Sequence, residues 1–415
     1  MKFIADLHVH SKYSRATSSQ ADLENYAKSA KEKGILVVGT GDFTHPQWLQ
    51  EIKEKLEPAE EGLFKLKNSD NPTRFLLSTE ISCIYSKNGA VRKIHLVILA
   101  PSIEAVEKIN TQLGWIGNLK ADGRPTLGLD AKELLKIVLN VCQDCLVIPA
   151  HIWTPWFSLF GSRSGFDSIE ECFEEYSKYI YAGETGLSAD PKMCWRISEL
   201  DKITLISNSD AHSPQKLGRE ANVFDTELSY YAIIDAIKKK NKEKFLYTIE
   251  FYPEEGKYHY DGHRNCGVRV SPKEAKKYNN VCPVCGRPLT LGVLHRVEDL
   301  ADREEGFVPE NAISYKSLVP LQEIVAEAIS QTPGTKEVLK EYHNLIDQFN
   351  NEFNVLLNVK EEDLKSQTLP EIVEGIIRVR EGKVNIEPGY DGVFGKVRIF
   401  QEEEVQKYSA QKTLF

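Results

Sequence analysis

Residues 5–14 read ADLHVHSKYS, and the pair His8 and His10 at the end of the first apolar run decides how the rest of the chain is read. In a strand, successive side chains point to opposite faces, so His8 and His10 share a face and converge on one point. Two imidazoles at that spacing, with Asp6 just before them, suit a metal ion.

Apolar runs rich in Val, Ile and Leu recur along the first half of the chain: Phe3 to Val9, Ile35 to Thr40, Phe75 to Ile81, Ile94 to Ala100, Leu146 to Ala150, Tyr179 to Ala182 and Ile203 to Ser207. Amphipathic stretches separate most of them, such as SSQADLENYAKSAKEKG, with Ser19 as N-cap and Gly34 as stop signal. Strands alternating with helices predict an α/β fold with a mainly parallel sheet, and about seven strands in this span favour a closed barrel over an open sheet. An Asn88-Gly89 turn inside YSKNGAVRK predicts a hairpin between the third and fourth strands.

The strand ends carry the second signal. Asp42 and His45 come after the second strand, Glu80 ends the third, His95 sits near the start of the fourth, His151 comes after the fifth, Glu184 after the sixth, and Asp210 and His212 after the seventh. Six of the ten histidines belong to this set. In a parallel barrel all carboxyl ends open on one face, where so many imidazoles and carboxylates need a cation. Carboxylates such as Glu80 and Asp210 bridge ions, and imidazoles favour Zn, Mn or Fe over Ca or Mg. Such a cluster polarises a phosphoryl oxygen and supplies hydroxide at neutral pH, so hydrolysis is the expected chemistry.

The bulk properties set the frame. The chain has 415 residues, 41% of them hydrophobic, enough for two or three domains with real cores. The N-terminus enters KFIADLHVH without signal-peptide features and no apolar run is long enough to span a bilayer, so a soluble, cytoplasmic protein without membrane partners is expected. Eight cysteines in that context point to free thiols or metal ligands rather than disulfides. The net charge of −9 excludes a uniformly basic surface. Against it, Lys257 to Arg296 carries eight Lys or Arg and only Asp261 and Glu274, a local net of +6.

That basic segment contains Cys282-Pro-Val-Cys285-Gly, a zinc knuckle, with His263 and Cys266 at the same spacing. One structural zinc on His263, Cys266, Cys282 and Cys285 is expected, with His259 as the substitute ligand. The cations, including Arg264, Arg269 and Arg287, are interleaved with Tyr258, Tyr260 and Tyr278, as on a surface that tracks phosphates, and a solvated basic face is the equal alternative. Cys142 and Cys145 repeat the knuckle spacing but have no second pair nearby. The expected organisation is a catalytic barrel over 1–252, a zinc module over 253–300 and a mainly helical region over 301–415. That last region closes with a hairpin in GKVNIEPGYDGVFGKVRIF and a polar tail read as disordered.

DLHVH at the start, the Gly41-Asp42 turn, Thr79-Glu80 and the late SDAH resemble the polymerase and histidinol phosphatase (PHP) superfamily of metal-dependent phosphoesterases over roughly residues 1–250. The resemblance implies a distorted seven-stranded barrel binding two or three divalent ions (Zn, Mn or Mg). Its ligands would be His8, His10, Glu80, His95, His151, Asp210 and His212, with His8, Glu80 and Asp210 at the catalytic core. The superfamily often places Asp-His after the second strand, whereas this chain has Asp42-Phe43; Asp42 is expected to fill the role, with His45 as the alternative. An amidohydrolase would share the first motif but needs a bridging lysine that is missing at the strand ends.

The order of parts, a PHP barrel, then GHRNCGV, then CPVCGRPLTLGVLHRVEDLADR, then EPGYDGVFGK, is similar to the endonuclease Q family over essentially the whole chain. That resemblance implies a DNA repair hydrolase that nicks 5′ of deaminated bases (hypoxanthine, uracil, xanthine) or abasic sites, associated with the nucleoid. A sliding clamp is a candidate partner. Base inspection requires taking the nucleotide out of the stack. Trp153 and Trp156 after His151, and Glu184 and Ser188 after the sixth strand, are the expected substrate contacts, with a lid or plain core the alternative for the rings. A small-molecule phosphatase and a non-catalytic DNA-binding protein are the competing classes.

Overall fold

The computed structural model describes residues 1–401; the tail read as disordered lies almost wholly in 402–415, outside the described residues. The chain divides into two compact units.

The first unit comprises Met1–Lys31, Ile35–Glu250 and Val293–Lys316. Its strands are β1 (Lys2–Asp6), β2 (Val37–Gly39), β3 (Leu56–Pro58), β4 (Phe64–Leu66), β5 (Arg74–Lys87) and β6 (Ala90–Ala100). They continue with β7 (Thr126–Leu127), β8 (Leu146–Pro149), β9 (Ala182–Glu184), β10 (Thr204–Ile206), β11 (Ala221–Asp225) and β12 (Phe245–Glu250). Each of the seven expected strands has a counterpart here, and the sheet is mixed rather than mainly parallel. β1, β2 and β5 run parallel, whereas β5–β6, β6–β8, β1–β11 and β11–β12 are antiparallel. The cause is local. Asn88 and Gly89 adopt φ of 54° and 75°, the two-residue turn that folds β6 straight back along β5. The main hydrogen-bonded ladder is branched, and β9 and β10 pair in a ladder of their own.

The first helix starts at Leu23, and its N-terminal side-chain bond comes from Asp22, which accepts from the backbone of Asn25; the cap is therefore Asp22 and not Ser19. One core holds Leu7, Val37, Leu76, Val97, Ile148 and Ile206, from strands spread over two hundred residues. Their burial brings the ends of those strands into register.

The second unit comprises Glu32–Gly34, Phe251–Gly292 and the chain from Ser317 onward. In its basic segment, β13 (Asp261–His263) and β14 (Val268–Val270) form a hairpin ahead of the short helix Pro272–Lys277. The buried apolar cluster there is Ala275, Cys282 and Leu289 with Cys266, Val268 and Val270 against them. β15 (Ser314–Ser317), where the chain passes from the first unit to the second, lies at the edge of the large sheet. The helices Leu321–Ala328, Lys336–Phe349 and Pro370–Arg380 bury residues at three- and four-residue spacing, such as Val338, Tyr342, Leu345 and Ile346. Buried Glu352 ties the first two together by accepting from the backbone of Leu321 and the hydroxyl of Tyr342. β16 (Asn385–Glu387) and β17 (Lys396–Arg398) form the expected final hairpin. No helix among the described residues is long and apolar enough to cross a membrane.

Candidate active site

β1 delivers His8 and His10 just past its end, and a bridge between Val9 and Ala211 draws the segment after β10 alongside. Glu80 projects from the middle of β5, and the register that pairs Ser82 with His95 puts His95 diagonally across from it on the same face. His151 and Asp210 come after β8 and β10 with φ of 30° and 47°, conformations an L-residue adopts only when its surroundings demand it. Gly186, at φ 66°, makes this possible: a Cβ there would stand 2.5 Å from that of His151.

The result is two donor groups sharing one carboxylate. His8, His10, Glu80 and Asp210 offer ligand atoms within 4.8 Å of one another, and so do Glu80, His95 and His151. Glu80 Oε1 lies 2.7 Å from His95 Nδ1 and 3.0 Å from His151 Nε2, while Oε2 lies 3.3 Å from His10 Nε2. His8 Nε2, His10 Nε2 and Asp210 Oδ1 are buried with no hydrogen-bond partner, although His10 Nε2 and Asp210 Oδ1 are 2.9 Å apart. Three orphaned donor atoms at one point are what a cation would satisfy, so the residues fit a divalent metal.

The carboxylates of the cluster set its protonation states, and a metal bound there would take the place of the proton on His8 and His10. Burial opposes charge on His8 and His10 but is outweighed by Glu184 and Glu80 around the first and by Asp42, Asp210 and Glu80 around the second, so both hold a proton well above the usual range. Burial alone would raise Glu80, yet His95, Arg124 and His8 hold it well below the usual carboxylate range. His95 is pushed down to about 4, burial prevailing over Glu80, and stands as a neutral donor.

Other expected ligands take different places. Asp42 belongs to neither donor group: Oδ1 lies 3.0 Å from His10 Nδ1, and Oδ2 accepts from the backbone and hydroxyl of Ser11 and from Ser14. Its carboxylate is fully engaged behind His10, which it orients. Glu184, expected at the substrate rim, is fully buried behind His8, bound also by Asn208 and the backbone of His151. His212 packs its ring 4.5 Å from that of His10, with Nδ1 on the carbonyl of Asp210, outside both groups. His45 stacks on Tyr13. Trp153 is core, its Nε1 donating to Cys194 Sγ at 3.2 Å; Trp156 is half exposed, with Lys93 Nζ 4.8 Å from its ring. Ser188 is half-buried in the turn after β9.

Sequence reasoning missed Arg124, whose Nη1 donates to Glu80 Oε2 at 3.0 Å. Nothing in KADGRPTLG marked it. It also missed Asn208, which accepts from the backbone of Leu7 while donating to Glu184.

In the second unit, His263, Cys266, Cys282 and Cys285 form a third donor group, with Cys285 Sγ 3.4 Å from His263 Nδ1. Burial pushes the Cys282 thiol up, but the backbone amides of Cys285 and Val284 and neighbouring side chains bring it down to about 7. His259, the substitute, stacks on Tyr260 outside this group. Arg264 and Arg269 lie beside the final hairpin, Arg269 donating to the carbonyl of Pro388, and Arg287 is exposed in the knuckle.

Residues 320–383 match the family described as the MJ0043 C-terminal domain. Protein MJ0043 of Methanocaldococcus jannaschii is 38% identical over 320 residues, which span 74% of this chain and 39% of that longer protein. The crystal structure of the lesion-specific endonuclease PfuEndoQ from Pyrococcus furiosus superposes with a TM-score of 0.86 at 30% identity, covering 98% of this chain and 99% of that one. The chain belongs to the endonuclease Q family. A second endonuclease Q structure, in complex with a 27-mer duplex substrate carrying an abasic lesion at the active site, matches with a TM-score of 0.84 at 31% identity over 98% of each chain. The mixed sheet and helical C-terminal part of this endonuclease Q family member are thus those of its relatives.

Proposed function

We propose that this chain is a metal-dependent DNA repair endonuclease that hydrolyses the phosphodiester 5′ of a deaminated base (hypoxanthine, uracil or xanthine) or an abasic site. The observation that carries the reading is the pair of donor groups meeting at Glu80 in a chain of the endonuclease Q family.

His8, His10, Glu80 and Asp210 would hold one divalent ion and Glu80, His95 and His151 another, drawn from Zn, Mn or Mg. Bound there, such ions polarise a phosphoryl oxygen and make hydroxide available at neutral pH. The protein's own part is orientation and charge. Glu184 and Asp42 fix the ring planes of His8 and His10, and Asn208 fixes Glu184. Arg124 contributes a permanent positive charge beside Glu80, suited to a phosphate. Trp156, exposed on the loop after His151, offers a ring face to an unstacked nucleotide.

In this reading catalysis belongs to residues 1–252 and a zinc staple to 253–300, ahead of the C-terminal region 301–415 that the sequence marks as mainly helical. The experiment compares nicking of duplexes carrying one abasic analogue, one deoxyinosine or one deoxyuridine with hydrolysis of p-nitrophenyl phosphate, with metal analysis of the same sample. Lesion-dependent nicking that needs divalent ions is expected. Turnover of the small phosphate with no nicking would overturn the reading.

A further inference from the structure

The final hairpin carries an apolar, cationic tip that takes no part in the metal cluster. The turn from Tyr390 to Gly395 exposes Phe394 (69%) and Val393 (40%), and Tyr258 (40%) lies beside them. Lys257 Nζ sits 5.7 Å from the Phe394 ring and 5.6 Å from that of Tyr258. Gly392 adopts φ 83°, which favours glycine, and Arg264 Nη1 and Tyr258 Oη lie 3.4 and 3.8 Å from where its Cβ would be, so the cation and that ring stand beside the turn.

The turn is held from many sides. Tyr390 and Val393 exchange backbone bonds, Gly392 donates to Lys257, Gly389 to Glu254 and Gly395 to Glu255. Asp391 accepts from the backbone of Arg264 at 2.7 Å and from Thr290 Oγ1 at 2.6 Å. An aromatic ring kept in water at a clamped tip, with cations around it, carries a binding cost already met by the fold. The stretch of the second unit that packs around it, Phe251–Gly292, carries seven Lys or Arg against Glu254, Glu255, Asp261 and Glu274, a net charge of +3 in a chain of −9.

We propose that this tip is a second DNA contact, distinct from the metal cluster, in which Phe394 enters the minor groove as a wedge while Lys257 and Arg264 lie on the flanking phosphates. Apolar wedges with adjacent cations are how proteins grip a groove without reading sequence. The inference rests on the proposed action on DNA, and charge complementarity selects a nucleic acid over an apolar protein partner.

The test is fluorescence anisotropy of a duplex carrying a single abasic analogue, over a salt series, with wild type, Phe394→Ala, Phe394→Trp, Lys257→Ala and Trp115→Ala as the control for an exposed ring elsewhere. Phe394→Ala should raise Kd about five- to tenfold. Phe394→Trp should keep wild-type affinity, and Lys257→Ala should reduce the slope of log K against log salt by about 1. Thermal unfolding of each variant checks that the fold is kept. Wild-type affinity in Phe394→Ala, or an equal loss in Trp115→Ala, overturns the proposal. Failure of wild type to bind or nick the duplex refutes the DNA reading itself, a different result.

Discussion

His8 Nδ1 lies 3.0 Å from both carboxylate oxygens of Glu184, which turns His8 Nε2 into the pocket where it finds no hydrogen-bond partner. Replacing Glu184 with Gln keeps the shape and removes the charge that holds this ring. Metal affinity at the first donor group should fall about 10- to 100-fold, with activity recovered at high metal concentration. Metal titration followed by nicking rate reads this directly, and an unaltered affinity would show that Glu184 does not act through His8.

Asp210 contributes to the first group a buried oxygen, Oδ1, that has no hydrogen-bond partner. Asp210→Ala should lower the single-turnover nicking rate by at least about 10²–10³-fold while leaving duplex binding largely intact. Retained nicking in that variant would refute the assignment.

Glu250 is fully buried beside Thr185, Thr248 and Ser207, and burial pushes its carboxyl up to about 8, with Asp190 adding and the three hydroxyls opposing. Unfolded, the group titrates near 4.5. Between those values the folded chain holds a proton that the unfolded chain has lost, so this group's stabilisation is complete below about pH 4.5 and declines as pH rises toward 8, by about 1.4 kcal/mol per unit at most. Glu250→Gln removes the titration. Its melting temperature relative to wild type should climb between about pH 5 and about pH 8.5, and a constant difference would contradict the buried proton.

The two neighbouring tryptophans should separate cleanly. Trp153→Ala empties a core position and should cost about 3–5 kcal/mol. Trp156→Ala should change stability by no more than about 0.5 kcal/mol and weaken binding of lesion-containing duplex. Denaturant unfolding and anisotropy on the same preparations test both; equal stability losses would place the rings in one core.

Cys282→Ser removes a thiolate from a module whose apolar core has three buried members. Loss of one zinc per chain and a lower melting temperature are expected, measured by metal analysis and calorimetry. A variant that keeps its zinc would mean the ligands lie elsewhere.

Local features were legible in the sequence. Period-two alternation placed His8 and His10 on one face, Asn88-Gly89 announced its hairpin, and the x2 spacing marked the pairs His263/Cys266 and Cys282/Cys285, because each depends on neighbours a few residues apart. Strand direction was less legible, since alternating helix and strand patterns do not record which way a strand runs after a turn.

By itself, the sequence determined which residues could donate to a cation and where along the strands they stand. Only the tertiary structure decided which of them face the pocket. Asp42 and Glu184 carry the same carboxylate as Glu80 and Asp210, yet they stand behind His10 and His8, because the turn after β2 and the end of β9 bring them to the Nδ1 side of each ring. Arg124 reaches Glu80 across 44 residues of chain. That choice between facing an ion and orienting its ligand belongs to packing between distant segments, and no local periodicity encodes it.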